Sequence, residues 1–244
     1  MKKFLLLVVY FGVIGALAAL SLWWALVTVG RGEYLTAGVV LGFGVSFVGI
    51  AAALVLILAG KVSPRIEFDA DGTTIRCDRL VDGLNVWSTV AVWVAMATYA
   101  IFALQHELDI PPPPGSHRNF PVIALVLSLL AIPQLWKMFK RGGLSFLRMT
   151  PNGFELGQGV SSVHGEWDDV VDMADRRAGK ARPLRATMFV KFRDGRTRSQ
   201  AIDSYTPRGE AMRRLVRYYW INEDQRAELT DGRAIARLEK LASD

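Results

Sequence analysis

The sequence predicts an α-helical membrane protein: four transmembrane helices, then a cytosolic α+β domain of short antiparallel strands closed by C-terminal helices. Three observations carry that expectation. Of the 244 residues 51% are hydrophobic and the mean hydropathy is +0.24, too apolar for an ordinary soluble domain. The apolar residues gather in four uncharged runs within the first 136 positions. The whole formal net charge of +6 lies from Lys137 onward, where alternating segments are punctuated by Asn-Gly and Asp-Gly turns.

Crossing a hydrocarbon core of about 30 Å takes roughly 20 apolar helical residues. Residues 4–30, 35–60, 84–104 and 119–136 meet that need and show no polar stripe of the kind a soluble surface helix carries. They define a membrane domain over residues 1–139, with a cytosolic segment at 61–83, and a cytosolic domain over 140–244. Met1-Lys2-Lys3 before an apolar run, with Ala16-Leu17-Ala18 as a small-x-small pattern, resembles a signal peptide. The apolar run continues through Trp23, Trp24 and Val29, beyond a signal core, so it reads as a retained first helix.

Lysine and arginine set the orientation. Lys2, Lys3, Lys61, Arg65, Arg76, Arg79, Lys137, Lys140 and Arg141 fall on one side, and the opposite loops carry only Arg31 and Arg118. Both termini are therefore expected in the cytosol, and the compartment expected is a bacterial-type inner membrane. No Asp, Glu, Lys, Arg or His lies inside the spans, which argues against a pump or an ion-coupled transporter. The second span instead carries Gly38, Gly42, Ser46, Gly49 and Ala53 as a stripe of small residues. Such a stripe permits close helix approach, either within this bundle or against another membrane subunit.

The second outer loop, 105–118, holds Pro111 to Pro114 between His106 and His117, with Glu107 and Asp109 nearby. It reads as a stiff polyproline spacer with exposed histidines, and no metal is expected there. The lone Cys77 excludes an internal disulfide and any multi-cysteine metal site, and reads as structural.

On the cytosolic side, Ile66 and Phe68 alternate with charged residues before Asp71-Gly72, which predicts a β-hairpin over 65–76 whose apolar face needs a cover. Residues 144–156 repeat the pattern around Pro151-Asn152-Gly153. A further strand is expected over 166–174, with Trp167, Val171 and Met173 as its apolar side. A charged loop follows over 175–182, then strands over 184–193 and 196–202 joined by a two-residue Asp194-Gly195 turn. Thr206-Pro207 reads as the cap and first residue of a helix presenting Met212, Leu215, Val216 and Tyr219 on one face. Arg213, Arg214 and Arg217 fall off that stripe. Asn222 with Gln225 is expected to cap a further helix, interrupted near Asp231-Gly232.

The hairpin around Pro151-Asn152-Gly153, the segment Trp167-Asp168-Asp169-Val170-Val171, the late Asp194-Gly195 hairpin and the terminal helix together resemble the bacterial pleckstrin-homology-like domain over about 143–221. That resemblance implies a non-enzymatic module for protein or lipid contacts, by analogy of fold. The layout as a whole is similar to accessory subunits of lipid-transport systems, including mammalian-cell-entry (Mce) type importers.

A two-residue Asp194-Gly195 turn sets Arg193 opposite Arg196 and Lys191 opposite Arg198, so Lys191, Arg193, Arg196 and Arg198 would share one face. Facing like charges cost about 0.2–1 kcal/mol per pair. The face then reads either as a site for lipid phosphate or an acidic partner, or as a solvated strand neutralised by Asp168, Asp169 or Asp172. No phosphate loop, dinucleotide fingerprint, serine elbow or His-Glu-x-x-His occurs. His164 beside Ser161, Ser162 and Glu166 is too local for a triad. The expected function is a non-catalytic accessory or scaffold subunit, partnered by other membrane subunits and anionic phospholipid, with no nucleic acid and no cofactor. The alternative is a membrane-surface sensor that binds anionic headgroups through the basic hairpin face.

Overall fold

The computed structural model describes residues 2–105, 107, 108, 110, 119–159, 161–176 and 185–243. The prolines 111–114, His106, Asp109, His117, Arg118 and positions 177–182 of the charged loop lie outside the described residues. The chain forms two compact units, Met1–Ala53 with Leu84–Arg141, and Leu54–Gly83 with Gly142–Asp244.

The first unit is built from α1 (Lys2–Gly30), most of α2 (Tyr34–Leu58), α3 (Arg79–Leu104) and α4 (Asn119–Arg141). All four are long and apolar enough to cross a membrane. Leu5, Val9, Leu20, Trp23 and Leu26 of α1 each expose more than half their surface, an apolar exterior suited to lipid. The hydroxyls of Ser88, Thr89 and Ser128 donate to carbonyls four residues back, at 2.7–2.8 Å, which satisfies these donors where water is scarce. The Trp93 Nε1–H donates to the Ser128 carbonyl at 2.9 Å and ties α3 to α4. Val39, Tyr99, Ala100 and Ala124 form the bundle's buried centre.

The helix ends differ from the predicted spans for local reasons. At the start of α3, Asp78 Oδ1 accepts the Leu80 and Val81 amides at 2.8 and 3.1 Å, so capping starts this helix at Arg79, ahead of the apolar run. At the other end of α4, helix continues past Trp136 to Arg141, with Lys140 and Arg141 beside the carbonyl terminus. Termination of α2 at Leu58 follows from Gly60, whose φ of +66° lets the Lys61 amide reach back to the Leu56 carbonyl at 3.0 Å.

The second unit contains two antiparallel sheets. One runs β1 (Arg65–Asp69), β2 (Gly72–Arg76), β3 (Ser145–Met149), β4 (Gly153–Gln158) and β5 (Ser161–Glu166) in that spatial order. The predicted hairpin 65–76 is therefore part of the C-terminal sheet. Thr73 pairs with Met149, Thr74 with Arg148 and Ile75 with Leu147. Asp69 Oδ1 accepts the Asp71 and Gly72 amides at 2.9 Å, closing the turn. A Cβ at Gly72 would sit 2.2 Å from the Met149 carbonyl oxygen, so only glycine admits β3 at that point.

The second sheet is β6 (Val170–Ala174), β7 (Thr187–Phe192) and β8 (Thr197–Ala201). The single strand expected over 166–174 is in fact the end of β5, a 3-10 turn at Trp167–Asp169, and β6. That turn and a register shift between Val170 and Asp172 change which side chains face inward. Trp167, Val170 and Met173 are buried, and Val171 is 52% exposed, opposite to the expectation for Val171.

Ile75, Leu147, Met149, Trp167, Met188, Val190, Met212, Leu215, Val216 and Tyr219 are 0–1% exposed and make the core. The last four come from α5 (Glu210–Ile221), as the helical spacing predicts. Thr206 does not cap this helix: it makes no side-chain cap bond and its hydroxyl is buried without a partner. A 3-10 turn at Pro207–Gly209 intervenes, and Gly209, with φ +69°, stands at the N-cap. After α5 the chain continues as a 3-10 segment, Glu223–Leu229, and α6 (Arg233–Ser243), with Gly232 (φ +82°) at the expected interruption. Asn222 makes no cap bond to that segment; its amide donates to the Tyr218 carbonyl. The tail is tied down where Thr73 Oγ1 donates to the Leu229 carbonyl at 2.6 Å and Arg226 Nε to the Tyr219 carbonyl at 3.0 Å.

Candidate functional site

The β7–β8 hairpin does not place its four cations on one face. Phe192 pairs with Arg196, through a bond from the Phe192 amide to the Arg196 carbonyl at 2.9 Å, so the loop has three residues, Arg193, Asp194 and Gly195. Gly195 adopts φ +82°, the left-handed residue that ends a type I turn with a bulge. This one-residue slip sets Lys191 opposite Thr197 and Val190 opposite Arg198. Because directly opposed residues share a face, Arg196 and Arg198 lie on the side of Phe192 and Val190, and Lys191 lies on the other. Local partners also stand beside three of the cations. Lys191 is in register with Asp172, Arg193 Nη2 donates to the Asp168 carbonyl at 3.1 Å, and Arg196 pairs with Asp194. The Arg196 amide first, with its guanidinium, holds the Asp194 carboxyl below its ordinary range.

The small-residue stripe of α2 divides by position. A Cβ on Gly42 would lie 2.9 Å from Ala95 Cβ, and one on Gly49 would lie 2.2 Å from Ser88 Oγ. Ser46 and Ala53 are buried. Gly42 and Gly49 serve packing of α2 on α3. A Cβ on Gly38 would meet nothing within 4 Å, so Gly38 takes no part in that contact.

The most connected polar arrangement was missed by sequence reasoning. It lies where chain segments leave α2, enter α3 and leave α4. Asp82, in the first turn of α3, is 7% exposed. Its Oδ2 receives Arg65 Nη2 at 2.9 Å and its Oδ1 receives the Leu144 amide at 2.9 Å. Asp78 Oδ2 takes the Ser63 amide and hydroxyl at 3.1 and 3.2 Å. Burial pushes the Asp78 carboxyl up, but the amides of Ser63, Val81 and Leu80 outweigh it and hold it below its ordinary value. A Cβ at Gly143 would meet Asp82 Oδ2 at 2.3 Å, so glycine is needed beside this carboxylate. The i, i+4 pair Asp78 and Asp82 ahead of an apolar run was the available signal, and it marks a helix start before it marks a clasp.

Cys77 lies just inside, buried, with its thiol donating to Ser204 Oγ at 3.4 Å. Burial raises the thiol's pKa, which disfavours the reactive thiolate. Ser161, Ser162 and His164 all lie on β5. Ser161 Oγ donates to the Gln158 carbonyl at 3.3 Å, and His164 Nε2 lies 3.5 Å from Glu155 Oε1 across the strands. Among the described residues no three His, Cys, Asp or Glu side chains come together to hold a metal ion.

A cavity of about 460 Å³ opens between the end of α2 and the start of α5, lined by Leu58, Gly60, Pro207, Arg208, Arg214 and Leu241 among others. Comparison with protein-family models, with curated proteins and with solved structures finds no match.

Proposed function

We propose that this chain is a non-catalytic inner-membrane accessory or scaffold subunit that docks to a larger membrane complex. In this reading both termini lie in the cytosol, as the lysine and arginine bias directs. The two antiparallel sheets closed by the amphipathic α5 support the resemblance to a pleckstrin-homology-like module, a fold class suited to protein or lipid contact. One observation carries the reading. The second unit is assembled from two stretches of chain, 54–83 and 142–244, that are separated in sequence by α3 and α4. A domain whose chain is interrupted by two candidate spans would be joined to them by several chain crossings, a connectivity suited to a module that works beside other membrane subunits.

The role fits an accessory subunit of a lipid-transport system. The alternative, a headgroup sensor acting through Lys191, Arg193, Arg196 and Arg198, loses the common face on which it rested. Affinity purification of the tagged protein from native membranes in mild detergent, with mass spectrometry of what accompanies it, tests the proposal. Membrane subunits recovered in fixed stoichiometry are the expected result. A protein recovered alone, or one that turns over a substrate in proteoliposomes, would contradict it.

A further inference from the structure

We propose that the cavity between the end of α2 and the start of α5 is a binding site for the headgroup of an anionic glycerophospholipid. Three segments build it: the last residues of α2 with Gly60, the stretch from Pro207 to Arg214, and Leu241 with Ala242 near the end of α6. Leu58 and Leu241 supply apolar wall, and Arg208, Arg214 and Glu210 supply two positive charges against one negative. Leu58 ends a helix apolar enough to cross a membrane, and the end of such a span is where headgroups would meet the chain. An apolar wall with a cationic rim fits an amphiphile better than a freely soluble anion.

Arg208 carries the inference. It is the one non-glycine residue with positive φ among the described residues, at φ 60° and ψ 0°. An L side chain rarely holds that conformation, and such outliers persist where the surroundings or a function demand them. The side chain is exposed and forms no ion pair among the described residues. Its guanidinium is therefore available for bidentate contact with a phosphate. Arg214 is partly neutralised by Glu210 at 2.9 Å, so Arg208 is the dominant positive charge of the rim. The N-cap of α5, Gly209, has no side-chain cap bond, which leaves the first amides of α5 as further donors to an anion. Gly60 and Pro207 stand side by side: a Cβ on Gly60 would lie 3.7 Å from Pro207 Cβ, an ordinary contact distance.

The test uses the full chain in mixed micelles of phosphatidylglycerol and phosphatidylcholine, with retained lipid counted by native mass spectrometry. The wild-type protein is expected to retain phosphatidylglycerol in preference to phosphatidylcholine. Arg208→Gly should cut that preference about fivefold, the effect of one arginine at an anionic surface. Its melting temperature should hold or rise, because glycine relieves the positive φ. Arg208→Lys, which keeps the charge but loses the bidentate fork, should keep only part of the preference, and Glu210→Gln should increase it. Unchanged retention in Arg208→Gly overturns the proposal. So does an equal loss in a Lys191→Gln/Arg198→Gln variant, which would mean generic charge attraction. Complete displacement of the lipid by inorganic phosphate would also overturn it, since the apolar wall would then contribute nothing. None of these outcomes depends on whether a protein partner accompanies the chain.

Discussion

Glu228 receives Arg237 through two bonds of 2.7 and 2.6 Å and the Tyr219 hydroxyl at 3.1 Å. Arg237, first among the causes, outweighs burial and with Tyr219 holds the Glu228 carboxyl below its ordinary value of 4.5. A carboxyl lowered in the folded state stabilises the fold above 4.5, and that contribution drains away as pH falls through its folded value. Glu228→Gln is therefore expected to cost about 1.5–3 kcal/mol near neutral pH. The gap from wild type should narrow in acid, as thermal unfolding at about pH 7 and about pH 4 would record. A gap that stays constant would mean the carboxylate's charge does not matter. The Asp82 clasp makes a matching pair of predictions. Asp82→Ala strands the Leu144 amide and removes one acceptor of Arg65, whose Nε keeps the Cys77 carbonyl, and should cost about 1–3 kcal/mol. Gly143→Ala, which drives a methyl against the same carboxylate, should reproduce much of that loss without touching the acid. A Gly143→Ala protein as stable as wild type would show that the clasp yields freely.

At the scale of elements, the stripe on α2 separates into positions that pack and one that does not. Gly42→Leu should weaken the bundle, since even its Cβ would lie 2.9 Å from Ala95, and Gly38→Leu should be tolerated. Resistance of the detergent-solubilised protein to thermal aggregation measures both, and equal sensitivity would contradict the assignment of α2 to α3 packing. The four helices and the buried face of α5 were legible because each is a long periodic signal. The misreadings of β6 and of the β7–β8 hairpin have a shared cause. A short irregularity, the 3-10 turn with the shift after Val170 in one case and Gly195 in the other, changes which residues face inward: Val170 replaces Val171 while Met173 stays buried, and Arg196 and Arg198 leave the face of Lys191. The Asp194-Gly195 dipeptide is compatible with a two-residue turn and with a three-residue loop ending on glycine, and composition does not choose between them. The candidate site was legible only in its residue types. Arg208 carries no motif, and its significance comes from a backbone angle that the sequence does not encode locally.

For the molecule as a whole, the decisive feature is the pairing of β2 with β3 across the intervening α3 and α4. Sequence alternation indicated that the 65–76 hairpin had an apolar face to bury, but pairing between strands so far apart leaves no local trace. The test is disulfide crosslinking in native membranes, in a Cys77→Ser background, between Thr74→Cys and Arg148→Cys, residues directly opposite each other. Opposed antiparallel positions lie about 4.5–5.5 Å apart between Cα atoms, within the range a disulfide spans. Thr74→Cys with Glu155→Cys, one strand further on at roughly twice the interstrand spacing of about 4.8 Å, serves as the control. Near-complete crosslinking of the first pair and little of the second is expected, identified by mass spectrometry of the linked peptides. Absence of a link between positions 74 and 148, or equal linking of both pairs, would contradict a single sheet built from both sides of the membrane helices.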